Sequence, residues 1–170
     1  FQNESVFIET DDKVALIDAL SECGYAKIEV SSFTSAKAIP MLRDAEAVMQ
    51  RIRRVAGVEY SVLVPNVRGA ERALECRPDE LNLVMSCSES HNLANLRMPR
   101  QQSLQALLEV VGHVQRAQPV HPVAINVSLS CVFGCPIEGA VPMSEVQQRV
   151  QTFVDAGVRG ITLCDTTGMA

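Results

Sequence analysis

The chain has 170 residues with 20 acidic against 15 basic side chains, a formal charge of −5, and is 47% hydrophobic but only 4% aromatic. Those values describe a folded globular chain, and an acidic balance without a basic cluster argues against nucleic acid as the main partner. No apolar run reaches the ~18–20 residues of a membrane span, and nothing at the amino end has the form of a signal peptide.

Apolar spacing alternates between two periods along the chain. Val14, Ile17 and Leu20 recur at helical spacing behind Thr10-Asp11-Asp12, which supplies a cap and first-turn acids, and Gly24 ends the run. Residues 26–32 (AKIEVSS) are short and β-branched and predict a strand. Met41, Ala45, Val48, Met49 and Ile52 form one helical stripe, residues 60–64 a second strand, and residues 68–75 a short helix. Residues 81–87 predict a third strand, followed by a polar stretch, 88–100, long enough to be a working loop. Leu104, Leu107, Leu108, Val111 and Val114 predict the clearest helix, and residues 123–131 a strand leading into a Gly134-Cys135-Pro136 turn. Ser144-Glu145-Val146-Gln147 has capping-box form before a helix with Val146, Val150, Phe153 and Val154 inward, and residues 160–164 predict the last strand.

Five strands separated by amphipathic helices, with near-continuous apolar strands, predict a parallel sheet covered on both faces. A doubly wound open sheet and a piece of a (β/α)8 barrel both satisfy that pattern. No Gly-x-Gly-x-x-Gly and no P-loop follows any strand, which weakens the nucleotide-binding open sheets. Polar residues gather at the carboxyl ends of the strands: Glu29 to Ser32, Pro65-Asn66, Ser86 to Glu89, Ser128 to Cys131 and Asp165 to Thr167. Barrel enzymes place their chemistry on that edge, so a partial α/β barrel is the expected fold.

The six cysteines are spread widely, and three end apolar runs, which favours reduced thiols over a disulfide framework. Cys131 and Cys135 are four apart with no second pair, and His91, His113 and His121 are scattered, so ligand spacing shows no metal site. No positive residue adjoins Cys131 or Cys135, which reads as two inert thiols. Glu29 lies between Ile28 and Val30, where a buried carboxylate costs several kcal/mol unless paired. It reads either as an ion pair, with Lys27 or an arginine, or as a carboxylate tuned for proton transfer or for orienting a cation. Asp165, after the last strand, reads either as the cap of a following helix or as a group that meets a substrate hydroxyl.

Phe1-Gln2-Asn3-Glu4, residues 28–35 (IEVSSFTS), Val64-Pro65-Asn66, residues 130–139 (SCVFGCPIEG) and residues 163–168 (LCDTTG) together resemble 3-hydroxy-3-methylglutaryl-CoA lyases, over the full 170 residues. The Cys-x-x-x-Cys-Pro-x-Glu-Gly segment is the specific part, whereas the Gln-Asn-Glu and Asp-Thr-x-Gly pieces are shared with related Claisen-type enzymes. The resemblance implies strands two to six of a (β/α)8 TIM barrel with their helices, within a pyruvate-carboxyltransferase-like domain truncated at both ends. It implies a retro-Claisen cleavage of 3-hydroxy-3-methylglutaryl-CoA into acetyl-CoA and acetoacetate, assisted by Mg2+ or Mn2+. A Claisen-condensing synthase of the isopropylmalate or homocitrate type and a non-catalytic partial barrel are the alternatives. By the same resemblance Glu29 and Asp165 are the catalytic candidates, and Gln2, Asn95, Cys131 and Thr162 the substrate-binding ones. Asp165 would lie near the substrate hydroxyl, and Glu29 would support the metal and an arginine.

Other family features imply residues outside this sequence. The Arg-Asp-Gly segment is expected just before Phe1, and the His-x-His pair, the last asparagine ligand and the loop with the catalytic cysteine after Ala170. The resemblance therefore places every direct metal ligand outside these 170 residues, so the chain alone is expected to be inactive. Ser5 stands where many members have lysine, and Ser128 where an aromatic residue is usual. An acyl-CoA partner, no nucleic acid or membrane, and a homodimer for the intact enzyme are implied. So is a bacterial cytoplasmic or mitochondrial matrix location.

Overall fold

In the computed structural model, which describes residues 1–170, helices and strands alternate from the first element to the last. They run α1 (Thr10–Ser21), β1 (Lys27–Ser32), α2 (Ala45–Arg51), β2 (Glu59–Leu63), α3 (Val67–Glu75), β3 (Glu80–Ser86), α4 (Glu89–Leu96), α5 (Arg100–Ala117), β4 (Ala124–Ser130), α6 (Met143–Asp155) and β5 (Gly160–Leu163). The five strands form one parallel sheet in the order β1-β2-β3-β4-β5. That order decides between the two candidate architectures. A doubly wound sheet reverses direction at a switch point, whereas a barrel adds each strand beside the last in one direction. The chain winds one way only, as a barrel does.

The residues cluster into two compact units, 1–81 with 119–123 and 82–118 with 124–170. In the first, Lys27 pairs with Glu59, Ile28 with Tyr60 and Glu29 with Ser61; the register then slips, so Ser31 meets Val62 and Ser32 meets Leu63. α1 packs on α2 and β1 through Ile17, with Val48 and Met49 buried on α2. Tyr60 is 1% exposed, and its hydroxyl donates to Ser21 Oγ and accepts the Val55 N–H, both at 2.9 Å. Tyr60→Phe keeps the ring and orphans that N–H, so we expect a loss of about 1–3 kcal/mol, read as a lower urea midpoint at unchanged slope. An unchanged midpoint would mean that water replaces the hydroxyl.

Lys13, 2% exposed, is a charged group buried in this unit. Its Nζ lies 2.7 Å from both Asp44 Oδ1 and the Met41 carbonyl, and 4.1 Å from the Phe7 ring centroid. Burial pushes the Asp44 carboxyl up, but hydrogen bonds from Lys13 and Thr10 outweigh it and hold the group below its ordinary value. Thr10 thus serves Asp44 and not the helix: Glu9 occupies the cap position of α1 and makes no side-chain cap. The single stripe expected over Met41 to Ile52 is broken in two, a 3-10 turn Pro40–Leu42 and then α2. Proline at its first position suits the tighter turn.

In the second unit β4 pairs with β5, Asn126 beside Gly160 and Ser128 beside Thr162. β4 is not the near-continuous apolar strand expected: Ile125, Val127 and Leu129 are buried while Asn126 and Ser128 are only half-buried. The strand therefore alternates with period two, one face against helices and one face polar. α5 buries Leu104, Leu107, Val110, Val111 and Val114, and α6 buries Val146 and Phe153. The capping box expected at Ser144 does not form, because the cap position of α6 falls two residues earlier, at Pro142.

Candidate active site

Glu29 and Gln2 come together in the first unit. Both line a cavity of about 270 Å³ floored by β1 and walled by Leu16, Ile17 and Leu20 of α1. Ile28 and Val30 also line it but are themselves buried, whereas Glu29 between them is exposed. The expected cost of burying this carboxylate is therefore not incurred. The register slip between Glu29 and Ser31 is a bulge, a device that re-aims side chains at the ends of strands. Lys27 is already committed to Glu80 at 2.7 Å and Glu59 at 3.4 Å. Burial pulls the Lys27 ammonium down, and those two carboxylates more than restore it, leaving its pKa raised.

Thr162 belongs to a polar ladder in the second unit. Asn126 Nδ2 donates to Asn82 Oδ1 at 3.0 Å and to Thr162 Oγ1 at 3.1 Å, and the Ser128 hydroxyl donates to Asn82 Oδ1 at 2.9 Å. Gly160 makes room for this ladder, since a Cβ there would lie 2.8 Å from Asn126 Oδ1. Polar residues at alternate positions of otherwise apolar strands were the sequence signal for it.

Cys131 lies just past β4, not within it, and has left-handed backbone with φ 56°. Its N–H donates to Thr166 Oγ1 at 2.9 Å. Asp165, the residue before Thr166, accepts the Met169 N–H at 2.7 Å and the Ala170 N–H at 3.2 Å. Asp165 thus closes the turn after β5, and Thr166, which sequence reasoning passed over, joins that turn to Cys131.

Asn95 is not on a loop. The stretch 88–100 contains α4, and Asn95 is exposed on its last turn. Ser88 caps the helix, accepting the His91 N–H at 3.1 Å, and Glu89 supplies the first-turn acid. Those two residues were the legible start signal; the weak apolar stripe behind them hid the helix. Asn92, fully buried, ties the segment to itself: its Oδ1 accepts the Ser86 N–H at 2.9 Å, and its Nδ2 donates to Met98 O at 2.8 Å and Ser103 Oγ at 2.7 Å. Arg100 adds contacts to Cys87 O at 2.6 Å, Glu89 at 3.1 Å and Glu145 at 3.0 Å.

All six cysteines are free. Burial pushes the Cys131 thiol up and the Cys87 thiol up to about 11. Cys135 differs from the inert reading. Burial raises its pKa, but hydrogen bonds from the Ser88 hydroxyl, at 3.0 Å, and from the backbone N–H groups of Glu138 and Ile137 outweigh it, and the pKa falls below the ordinary thiol value. No three His, Cys, Asp or Glu side chains gather into a set that could hold a metal ion. The residues present do not amount to a metal centre.

A one-directional parallel sheet with polar groups at its strand ends defines part of an α/β-barrel enzyme. More narrowly, the chain belongs to the HMGL-like family, whose profile matches residues 1–170. It is 41% identical to the hydroxymethylglutaryl-CoA lyase of Bacillus subtilis, over 99% of this chain and 55% of that protein. To the cytoplasmic 3-hydroxy-3-methylglutaryl-CoA lyase of Mus musculus it is 33% identical, over 99% of this chain and 48% of that one. Among solved structures, an HMG-CoA lyase from Acinetobacter baumannii in complex with coenzyme A and 3-methylmalate superposes with a TM-score of 0.91 at 44% identity, over 99% of this chain and 54% of that chain. The chain spans about half the length of the curated relatives it matches. No helix is long and apolar enough to cross a membrane.

Proposed function

We propose that the whole protein cleaves 3-hydroxy-3-methylglutaryl-CoA into acetyl-CoA and acetoacetate. The observation that carries this reading is the family match along every residue, joined to 41% identity with a lyase of that activity. In the reaction a base takes the proton of the tertiary alcohol, and its oxygen becomes the ketone of acetoacetate. The bond between C2 and C3 breaks, and its electron pair passes to the acetyl-CoA enolate, which is then protonated. A divalent cation, Mg2+ or Mn2+, would polarise the alcohol and carboxylate oxygens, with its ligands supplied by residues other than these 170.

Within this reading, Asp165 orients the substrate hydroxyl from the turn that it also closes. Glu29, which lines the cavity beside the bulge in β1, supports the cationic part of the site, and Gln2 contacts substrate from the same cavity. Cys131 and Thr162 line the acyl group, and Asn95 reaches the substrate from the end of α4. An acyl-CoA is the substrate class, which the coenzyme A bound by the Acinetobacter relative supports. We place the protein as a homodimer in a bacterial cytoplasm or a mitochondrial matrix.

The test is the full-length protein with its substrate. It should release acetoacetate and acetyl-CoA in equal amounts with Mg2+ and lose that activity with EDTA. Condensation of acetyl-CoA with a 2-oxo acid, and no cleavage, would replace this reading with a synthase.

A further inference from the structure

The loop 131–139 runs from the end of β4 and closes on itself through Cys135 and Gly139, whose backbone groups exchange hydrogen bonds of 2.8 and 2.7 Å. At its tip Phe133 and Ile137 are exposed, so apolar burial does not hold the tip down. Two polar contacts do. The Ser88 hydroxyl, which caps α4, meets Cys135 Sγ at 3.0 Å. The Glu138 carboxylate accepts the Ser90 N–H at 2.6 Å, and the Ser90 hydroxyl and the Glu89 N–H also favour its charged form. Those N–H groups are first-turn donors of α4, which have no partner inside the helix, and a carboxylate there also gains from the helix dipole.

We propose that Glu138 is a positioning residue, which caps α4 from a remote loop and so holds the Cys131 turn and the helix bearing Asn95 in one working arrangement. Its consequence for catalysis rests on the lyase reading above. Asn92 and Arg100 fix α4 to its own segment, and Thr166 fixes Cys131. Glu138, together with Cys135, supplies the polar contacts that join these two pieces at the tip. Cys131 and Cys135, both fully buried, lie at the base of the loop and report on its docking.

The experiment uses the full-length protein and follows alkylation of each thiol by iodoacetamide, resolved by peptide mass spectrometry, with exposed Cys23 as internal reference. Glu138→Ala should raise the Cys135 rate about tenfold relative to Cys23 and lower kcat about tenfold, since small misplacements of a positioned group are costly. Glu138→Gln removes the charge but keeps an acceptor for the Ser90 N–H, and should fall nearer wild type in both readouts. If the alanine variant does not fold, Glu138→Asp takes its place: it keeps the charge but is one methylene short. An unchanged Cys135 rate in the alanine variant overturns the proposal. So does faster labelling with unchanged kcat and KM, or a glutamine variant labelled as fast as alanine, which would mean that charge alone governs the thiol. A wild-type protein without lyase activity would sink the lyase reading instead, and the labelling rates would still decide whether Glu138 docks the loop.

Discussion

Replacing Asp165 or Glu29 by alanine in the full-length protein is expected to lower kcat by roughly 100-fold or more, the range found for groups that move or orient a proton in a transition state. Asp165 is exposed and its carboxylate is engaged only by the N–H groups of Met169 and Ala170, both within its own turn. Glu29 is exposed and lines a cavity, so its loss removes no core packing. Neither variant should therefore unfold the protein, and the loss should appear in kcat with the circular dichroism unchanged. Asp165→Asn separates the two roles of that residue. An amide oxygen can still accept one of the two N–H groups, so the turn survives while the charge is gone. A kcat near wild type for both Glu29→Ala and Asp165→Ala would remove these residues from the site.

Asn92→Ala should be strongly destabilising, by about 3 kcal/mol, because each orphaned buried partner costs about 1–3 kcal/mol. Its side chain is fully buried and satisfies the Ser86 N–H, the Met98 carbonyl and the Ser103 hydroxyl. The urea midpoint should fall at nearly constant slope. Asn92→Asp is the informative companion: it keeps the acceptor for Ser86 and places a charge against the Met98 carbonyl, so it should be at least as damaging. A midpoint within experimental error of wild type for Asn92→Ala would show that α4 is held by Arg100 and Glu138 without it.

The helices of this chain were legible to the extent that they bury a face. α5 carries Leu104, Leu107, Val111 and Val114 at helical spacing, and all four are buried. α4 buries only Asn92, so hydrophobic period alone made it a loop; its start was written in Ser88 and Glu89. Cap motifs were less dependable than stripes. Thr10 and Ser144 both have the chemistry of a cap, but Thr10 bonds Asp44, 34 residues away, and α6 begins before Ser144. A hydroxyl takes the best acceptor in the folded chain, and that acceptor is often far away in sequence.

By itself the sequence determined the alternation of strand and helix, the polar ends of the strands and the family resemblance, because each depends on residues close together in the chain. The tertiary structure decided the rest. Only the strand order separated a barrel winding from a doubly wound sheet. Only β1's neighbours showed that Glu29 opens into a cavity while Lys27 belongs to Glu80 and Glu59. Only the docking of the 131–139 loop onto α4 made Cys135 unlike the other buried cysteines and gave Glu138 a partner. A carboxylate's or a thiol's chemistry is set by the donors and charges within a few ångströms of it, and the fold draws most of those from distant parts of the chain.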